Sequence, residues 1–489
     1  MTSEPSTSLN IGILGHVDSG KTTLTRRIAE MGSTSAFDAH ATSSSNSDGI
    51  RRNTLDLGFS TMTSLSGKRL ALIDCPGHSG LIRAVLAAST VFDMAIVIID
   101  VLAGIQPQTA EHLLLASKFC PDRVIVVLNK CDLADDQKIK ESTKKVRKGL
   151  KAMGINENSP VVEMSLVDGF FKEEMLENLK KAIETREFEP RRDTEKLFLI
   201  AIDHCFAIKG QGTVLTGTVI RGTLRLNTEI EFASLSETRR VKTLESWKQR
   251  VDQVAAGNRA AFLVTPSFDE NRFSRCISGA PGALKPTKSV LATVEPIVFF
   301  RKSINSRSKI HVSVAFETVM AECQFLRKDD EKDEFEILES MLAPCQVLLK
   351  FEKAVFIPEN FKIPFMASRL EQQTGCRFAF SGHFENSDTE NLKIFSRKSR
   401  KGTVERIEKD GYSAICTGMF KAETNFDVFR GFQISTSSGP RGKVEGAFGK
   451  SGKFRVVFQE KIDGLVEEKE EISLFMKKYC DKLVSYIPE

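Results

Sequence analysis

The first third of the chain alternates short apolar runs with segments of helical period, and the rest does not. Residues 9–14, 69–73, 94–100 and 123–128 are short and almost wholly apolar, which predicts buried strands. Residues 23–31, 79–89 and 108–119 follow them with the spacing of helices. Strand–helix alternation of this kind predicts a doubly wound α/β domain over residues 1–190. The charged stretch 187–195, which contains Pro190, reads as a linker. Beyond it the apolar stretches are short, rich in Val, Thr, Leu and Phe, and bounded by Gly or polar turns. They cover residues 197–202, 213–220, 239–246 and 259–264, then 288–294, 310–316, 345–351 and 376–381, then 402–407, 412–420, 432–437 and 454–458. That pattern predicts all-β barrels. A break at Pro281–Pro286 and another near Leu392 divide them into domains 195–284, 287–388 and 391–489. The expected fold is an α/β domain followed by three all-β barrel domains.

Chemistry enters between the first strand and helix. Residues 15–22 read G-H-V-D-S-G-K-T, which fits the phosphate-binding loop G-x-x-x-x-G-K-[ST]. Backbone N–H groups turned inward by the glycines, together with a helix N-terminus, cradle phosphates. Asp18, Ser19, Gly20, Lys21, Thr22 and Thr23 form the candidate phosphate set. Lys21 would reach the β- and γ-phosphates and Thr22 a magnesium ion. The Ser/Ala/Thr-rich stretch 33–48 reads as a loop leading to Thr54, a candidate to close over Mg²⁺ and the γ-phosphate. The strand at 69–73 delivers D-C-P-G-H. Asp74 is a candidate Mg²⁺ carboxylate, Gly77 a backbone sensor of the γ-phosphate, and His78 a group to orient the attacking water. The strand at 123–128 ends in N-K-C-D. There Asp132 would accept both donors of the guanine edge, Asn129 and Lys130 would flank the base, and Ser165 with Leu166 would back its O6. Adenine offers that carboxylate no donors, so the expected nucleotide is GTP.

Composition changes the picture in three places. No apolar run reaches the ~18 residues of a membrane span, and the polar start of the chain carries no signal-peptide core. The ten cysteines show no C-x-x-C pair, so reduced thiols, no zinc, and a cytoplasmic protein with the nucleus as alternative are expected. The net charge of +5 is concentrated: residues 391–455 hold 14 basic against 6 acidic side chains, interleaved with Phe395, Tyr412, Phe426, Phe429, Phe448 and Phe454. A polyanionic partner, RNA, follows as an expectation, although most of those aromatics would be barrel core. The G-K-S-G-K run at 449–453 reads as a basic hairpin turn.

The three nucleotide motifs together resemble the translational GTPases of the elongation factor Tu family. The resemblance is closer still to the eukaryotic selenocysteine-specific elongation factors. Residues 36–38, 54–60, 203–206, 208–214, 420–421, 423–425, 447–449 and 451–454 carry it. It spans nearly the whole chain, including a fourth domain that ordinary Tu-type factors lack. Two departures are Asn53 before Thr54, where the family usually has isoleucine, and the Ser-rich loop ahead of it.

The resemblance implies a monomeric, ribosome-stimulated GTPase that delivers selenocysteyl-tRNA at recoded UGA codons. Its implied partners are the ribosome, a SECIS RNA element and the protein that binds it. It also implies a selenocysteine pocket made by Asp203, His204 and Arg259. A selenol is more acidic than a thiol (~8.5), so a cationic pocket would favour selenolate over a seryl group. An initiation-factor-type tRNA carrier and a GTP-dependent RNA scaffold remain alternatives at this stage.

Overall fold

The computed structural model describes residues 8–31, 57–208, 212–267, 275–314, 317–329, 333–342, 345–358, 363–372, 374–386, 389–479 and 486–488. Thr54, Asn53 and the loop ahead of them lie outside the described residues, as do 209–211 of the resemblance motif.

In the first unit the elements are β1 (Leu9–Gly15), α1 (Lys21–Met31), β2 (Gly58–Thr63), β3 (Arg69–Asp74), α2 (Ile82–Ser89), β4 (Met94–Asp100), α3 (Pro107–Phe119), β5 (Val124–Asn129), α4 (Asp136–Ala152), β6 (Val161–Glu163) and α5 (Glu173–Glu184). They form one sheet of order β2-β3-β1-β4-β5-β6, parallel except for β2 against β3. β1 is buried along its whole length, as a central strand covered on both faces must be. Phe92 lies where a Cβ on Gly12 would go, so only glycine lets that ring close on the strand. β2, α4 and α5 join the elements that the apolar pattern predicts. α4 starts on an Asp135 side chain that accepts from the Lys138 N–H, and it buries a narrow stripe of Ile139, Val146 and Leu150.

The second unit comprises β7 (Leu199–Ile208), β8 (Gly212–Arg221), β9 (Thr223–Arg225), β10 (Glu229–Phe232), β11 (Glu237–Ser246), β12 (Gln249–Arg250), β13 (Gln253–Ala255), β14 (Arg259–Thr265) and β15 (Cys276–Gly279). Its sheet runs β10-β15-β7-β8-β14-β11-β12, and β10 pairing with β11 closes it into a barrel around Ile202, Leu215 and Phe262.

The rest is one continuous sheet. β16 (Leu284–Pro296), β17 (Ser308–Val314), β18 (Glu317–Asp329), β20 (Cys345–Pro358), β21 (Pro364–Ser368) and β22 (Phe378–Asn386) close through β17–β18. β23 (Lys393–Ile407), β24 (Ser413–Thr417), β25 (Gln433–Thr436), β26 (Arg441–Phe448), β27 (Lys453–Phe458) and β28 (Glu471–Tyr479) close through β23–β28, with β29 (Tyr486–Pro488) on the edge of β28. A short parallel pairing of β19 (Glu334–Ile337) with β23 joins the two barrels. The α/β unit followed by three barrels agrees with the fold expected from sequence; numbered by domain after the α/β unit, they are the second, third and fourth barrels. Of the aromatics considered for stacking, Phe395, Phe426, Phe429 and Phe454 are core. Only Tyr412 and Phe448 are exposed, at 46% and 39%. The 449–452 run forms the turn between β26 and β27, as the basic hairpin reading expected.

The α/β unit touches both of its neighbours. Ser8 Oγ donates to Asn258 Oδ1 at 2.7 Å, Asn10 Nδ2 donates to the Gly257 carbonyl, and Arg192 pairs with Asp93. On the other side, Ile297, Met366 and Phe378 share a hydrophobic cluster with α2 and α3, and Arg377 forms a two-pronged ion pair with Glu111.

Candidate functional site

Two groups of residues converge, one at the C-terminal ends of the α/β strands and one on the second barrel. In the first, Gly15 and Gly20 hold φ of 144° and 106° and Asp18 a φ of 59°. These values turn the loop back so that α1 starts at Lys21. The Gly15 N–H donates to His112 Nδ1 at 2.9 Å. His112 is buried, and desolvation, helped by the Lys21 charge, drops its pKa to about 3, so the ring stays neutral and its Nδ1 accepts. The Lys21 side chain is buried and donates to the His16 carbonyl. Burial pulls its pKa down, opposed mainly by Asp74. Thr22 Oγ1 donates to Asp74 Oδ2 at 2.8 Å. Thr23 is half-buried in the first turn of α1. A Cβ at Gly77 would overlap the Lys21 ammonium and lie 2.8 Å from the Val17 nitrogen. The D-C-P-G-H backbone therefore presses against the phosphate loop, and no side chain fits between them.

The guanine-edge candidates meet around the same loop. Asn129 Nδ2 donates to the Ser19 carbonyl at 2.8 Å, and the Asp132 N–H donates to Ser165 Oγ at 2.9 Å. Leu166 is buried beside Gly20. Lys130, with φ of 65°, sends its ammonium to Asp100 Oδ2 at 2.7 Å. Asn129 Oδ1 and Asp132 Oδ1 are buried without a hydrogen-bond partner among the described residues. Buried acceptors of this kind call for a donor, and a base edge carrying N–H groups supplies one. His78 is exposed and caps a short helical turn, its Nδ1 accepting from the Gly80 N–H at 3.1 Å.

The second group lies on the outer face of the second barrel. Asp203 is 4% and Arg259 8% exposed. Arg259 Nη1 reaches Asp203 Oδ2 at 2.7 Å and Nη2 reaches Oδ1 at 2.8 Å, while His204 Nδ1 lies 2.8 Å from Oδ1. Burial pushes the Asp203 carboxyl up, but Arg259 and His204 more than offset it, leaving it below the usual carboxylate range. An acceptor-only carboxylate requires a proton on His204 Nδ1. The predicted trio therefore converges, with Arg259 paired to Asp203. Four residues that the sequence reading did not assign to the pocket complete the site. The Phe59 ring, from β2 of the α/β unit, lies 3.2 Å from Arg259 Cζ and edge-on to His204. Phe206 stacks on His204 at 5.8 Å. Arg275 Nε donates to the Asp203 carbonyl at 3.2 Å, and Thr216 Oγ1 donates to Asp203 Oδ1 at 2.7 Å. The only sequence signal for Thr216 is its place in the strand beside Asp203 and His204.

Comparison with known proteins shows the family. Residues 6–185 match the elongation factor Tu GTP binding domain, 291–345 the third domain of eukaryotic selenocysteine-specific elongation factors, and 390–483 the eEFSec C-terminal RIFT domain. A selenocysteine-specific elongation factor from Mus musculus is 32% identical over 92% of this chain and 88% of its own, and one from Methanocaldococcus jannaschii 29% identical over 94% and 96%. The structure of translation elongation factor SelB from Methanococcus maripaludis in complex with the GTP analogue GppNHp aligns with a TM-score of 0.78 at 26% identity, covering 97% of this chain and 99% of that one. With such likeness along both sequence and fold, the chain belongs to the selenocysteine-specific elongation factors, translational GTPases that bind GTP through a Tu-type domain.

Proposed function

We propose that the chain carries selenocysteyl-tRNA to the ribosome at recoded UGA codons, and that Asp203, His204 and Arg259 recognise the selenocysteyl side chain. What supports this most directly is the Asp203–Arg259 pair with His204, buried on the outside of a barrel. An ion pair buried there adds little to stability over apolar packing, so its place against the α/β unit favours a recognition role. The site is richer in positive groups than a neutral serine side chain needs. A selenolate entering it gains a cationic guanidinium and an imidazole, whereas a neutral hydroxyl gains no charge pairing.

In the same reading Asp18, Ser19, Gly20, Lys21, Thr22, Thr23 and Gly77 hold the phosphates, and Asn129, Lys130, Asp132, Ser165 and Leu166 hold the guanine. Mg²⁺ fits the donor set, because the Thr22 hydroxyl and the Asp74 carboxylate are hard oxygen ligands side by side. Thr54 would join them. When bound, the ion supplies neutralisation of the phosphate charge. His78 orients the attacking water. Its exposed ring and its Nδ1 bond to Gly80 leave it to be redirected by the ribosome. Loss of the γ-phosphate removes what Gly77 and Thr54 hold, and the change passes to the tRNA grip through the contact of β2 with the pocket. The basic fourth domain, by resemblance, couples to the SECIS element and its binding protein. A cytoplasmic monomer is what the resemblance implies.

The test is equilibrium binding of selenocysteyl- and seryl-tRNA with GTP present. Strong preference for the selenocysteyl form, abolished by Arg259→Ala, supports the reading. Equal binding of the two by the intact protein sinks it.

A further inference from the structure

The Asp203 carboxylate and the Arg259 guanidinium come from strands that do not pair with each other: β8 lies between β7 and β14. Successive side chains on a strand point to opposite faces, so Asp203 and His204 would ordinarily face apart. A β-bulge prevents this. Ile202 pairs with Gly217 and His204 with Thr216, which leaves Asp203 as the extra residue. An extra residue of this kind re-aims a side chain, and here it brings Asp203 to the face that already holds His204. Thr216 lies directly opposite His204 on one side and Ala261 on the other, with Arg259 its diagonal neighbour on β14. Leu215 next to it points into the barrel core.

Thr216 is 4% exposed, and its hydroxyl touches both charged partners. It lies 2.7 Å from Asp203 Oδ1 and 3.2 Å from Arg259 Nη2. A guanidinium only donates and an ionised carboxylate only accepts. The single hydroxyl proton must therefore go to Asp203, and a hydroxyl lone pair must face Arg259. Thr216 has one orientation available, and threonine's stiff χ1 holds it.

We propose that Thr216 is a positioning residue for selenocysteyl recognition: its hydroxyl holds the Asp203 carboxylate and the Arg259 guanidinium in the register that lets Arg259 and His204 face one ligand. This rests on the pocket reading above. Asp203 Oδ1 serves His204, Thr216 and Arg259 at once. Removing the hydroxyl takes one donor from Asp203 and one acceptor from Arg259. The pair keeps its two direct bonds, but the hydroxyl that fixes its orientation relative to His204 is gone.

The experiment measures the ratio of selenocysteyl- to seryl-tRNA affinity, with GTP, for the full chain and for Thr216→Val, Thr216→Ser and Arg259→Ala. A variant that merely folds less well weakens both tRNAs alike, so the ratio separates positioning from stability. Thr216→Val, nearly the same shape without the hydroxyl, is expected to lower the ratio roughly tenfold or more, the loss of a hydrogen bond to charged groups. Thr216→Ser, which keeps the hydroxyl, is expected to restore most of it. If Thr216→Val does not fold, Thr216→Ala takes its place in the same comparison. A wild-type ratio in the hydroxyl-free variant beside a lost ratio in Arg259→Ala overturns the role of Thr216 and leaves the pocket standing. Failure of serine to rescue overturns it too. A wild-type ratio in all variants, Arg259→Ala included, overturns the pocket itself.

Discussion

Asp132 illustrates how much one side chain decides. Its backbone N–H is satisfied by Ser165 Oγ, while its buried Oδ1 has no partner among the described residues. A guanine edge would donate two hydrogen bonds to this carboxylate, and Asp132→Asn replaces one acceptor with a donor. GTP affinity is expected to fall by roughly 3–4 kcal/mol, two charge-assisted bonds. Xanthosine triphosphate, whose base offers a carbonyl where guanine has an amino group, is expected to bind the variant better than GTP does. Competition binding of the two nucleotides checks this. Residues like Asp132 were legible in the sequence because the nucleotide motifs are local: spacing along one loop sets which atoms meet. The barrel pocket was legible only in part. Asp203 and His204 are adjacent in sequence, but their sharing a face depends on the bulge at Asp203, which no periodicity shows. Thr216 and Phe59 reach the same cluster from other strands, and pairing between distant strands leaves no mark on local composition.

At the level of elements, α3 connects two parts of the molecule through consecutive residues. His112 accepts from the Gly15 N–H of the phosphate loop, and Glu111 pairs with Arg377 of the third barrel. The buried, neutral His112 sets a pH dependence whose sign follows from its lowered pKa. Above about 6.5, its ordinary value, the ring is neutral folded or unfolded, and its contribution is fully present. Below that, the unfolded chain takes up a proton that the folded chain refuses until about 3, so stability falls with pH through this window. The slope from this residue approaches about 1.4 kcal/mol per pH unit. Urea unfolding at pH 7 and pH 5 is expected to show a smaller loss in His112→Gln, which keeps an acceptor for Gly15 and cannot take up the proton. An equal loss in both proteins would assign the slope to other groups, such as His16 and His311, which burial also shifts downward. The elements themselves were legible in proportion to their apolar contrast. β1, β4 and β5 are nearly unbroken hydrophobic runs, and the sequence shows them plainly. α4 buries only Ile139, Ser142, Val146 and Leu150 in a lysine-rich helix, so its period is faint.

Across the whole molecule the third and fourth barrels form one body. β19 pairs in parallel with β23, and Phe335, Ile394, Leu326 and Leu348 pack around that seam. At its centre Lys477 is 5% exposed. Its ammonium lies 2.7 Å from Glu334 Oε2, 3.6 Å from Asp329 and 4.2 Å from the centre of the Phe395 ring. Tyr479 donates to the other oxygen of Glu334 at 2.8 Å, and burial with the Glu334 charge pushes its pKa up to about 12. Glu334 belongs to the third domain and Lys477 and Tyr479 to the fourth, so the pair ties these two domains together. Removing one partner of a buried pair costs more than removing both, because the remaining charge is left desolvated. Lys477→Met is therefore expected to weaken the seam by roughly 3 kcal/mol, and Lys477→Met with Glu334→Gln by less. The readout is the distance distribution between fluorophores on the third and fourth barrels. It is expected to be narrow in the intact chain, broad in Lys477→Met, and intermediate in the double variant. A distribution that stays narrow in Lys477→Met would place the rigidity in the β19–β23 pairing and its apolar seam alone, and the ion pair would have no part in orienting the fourth domain.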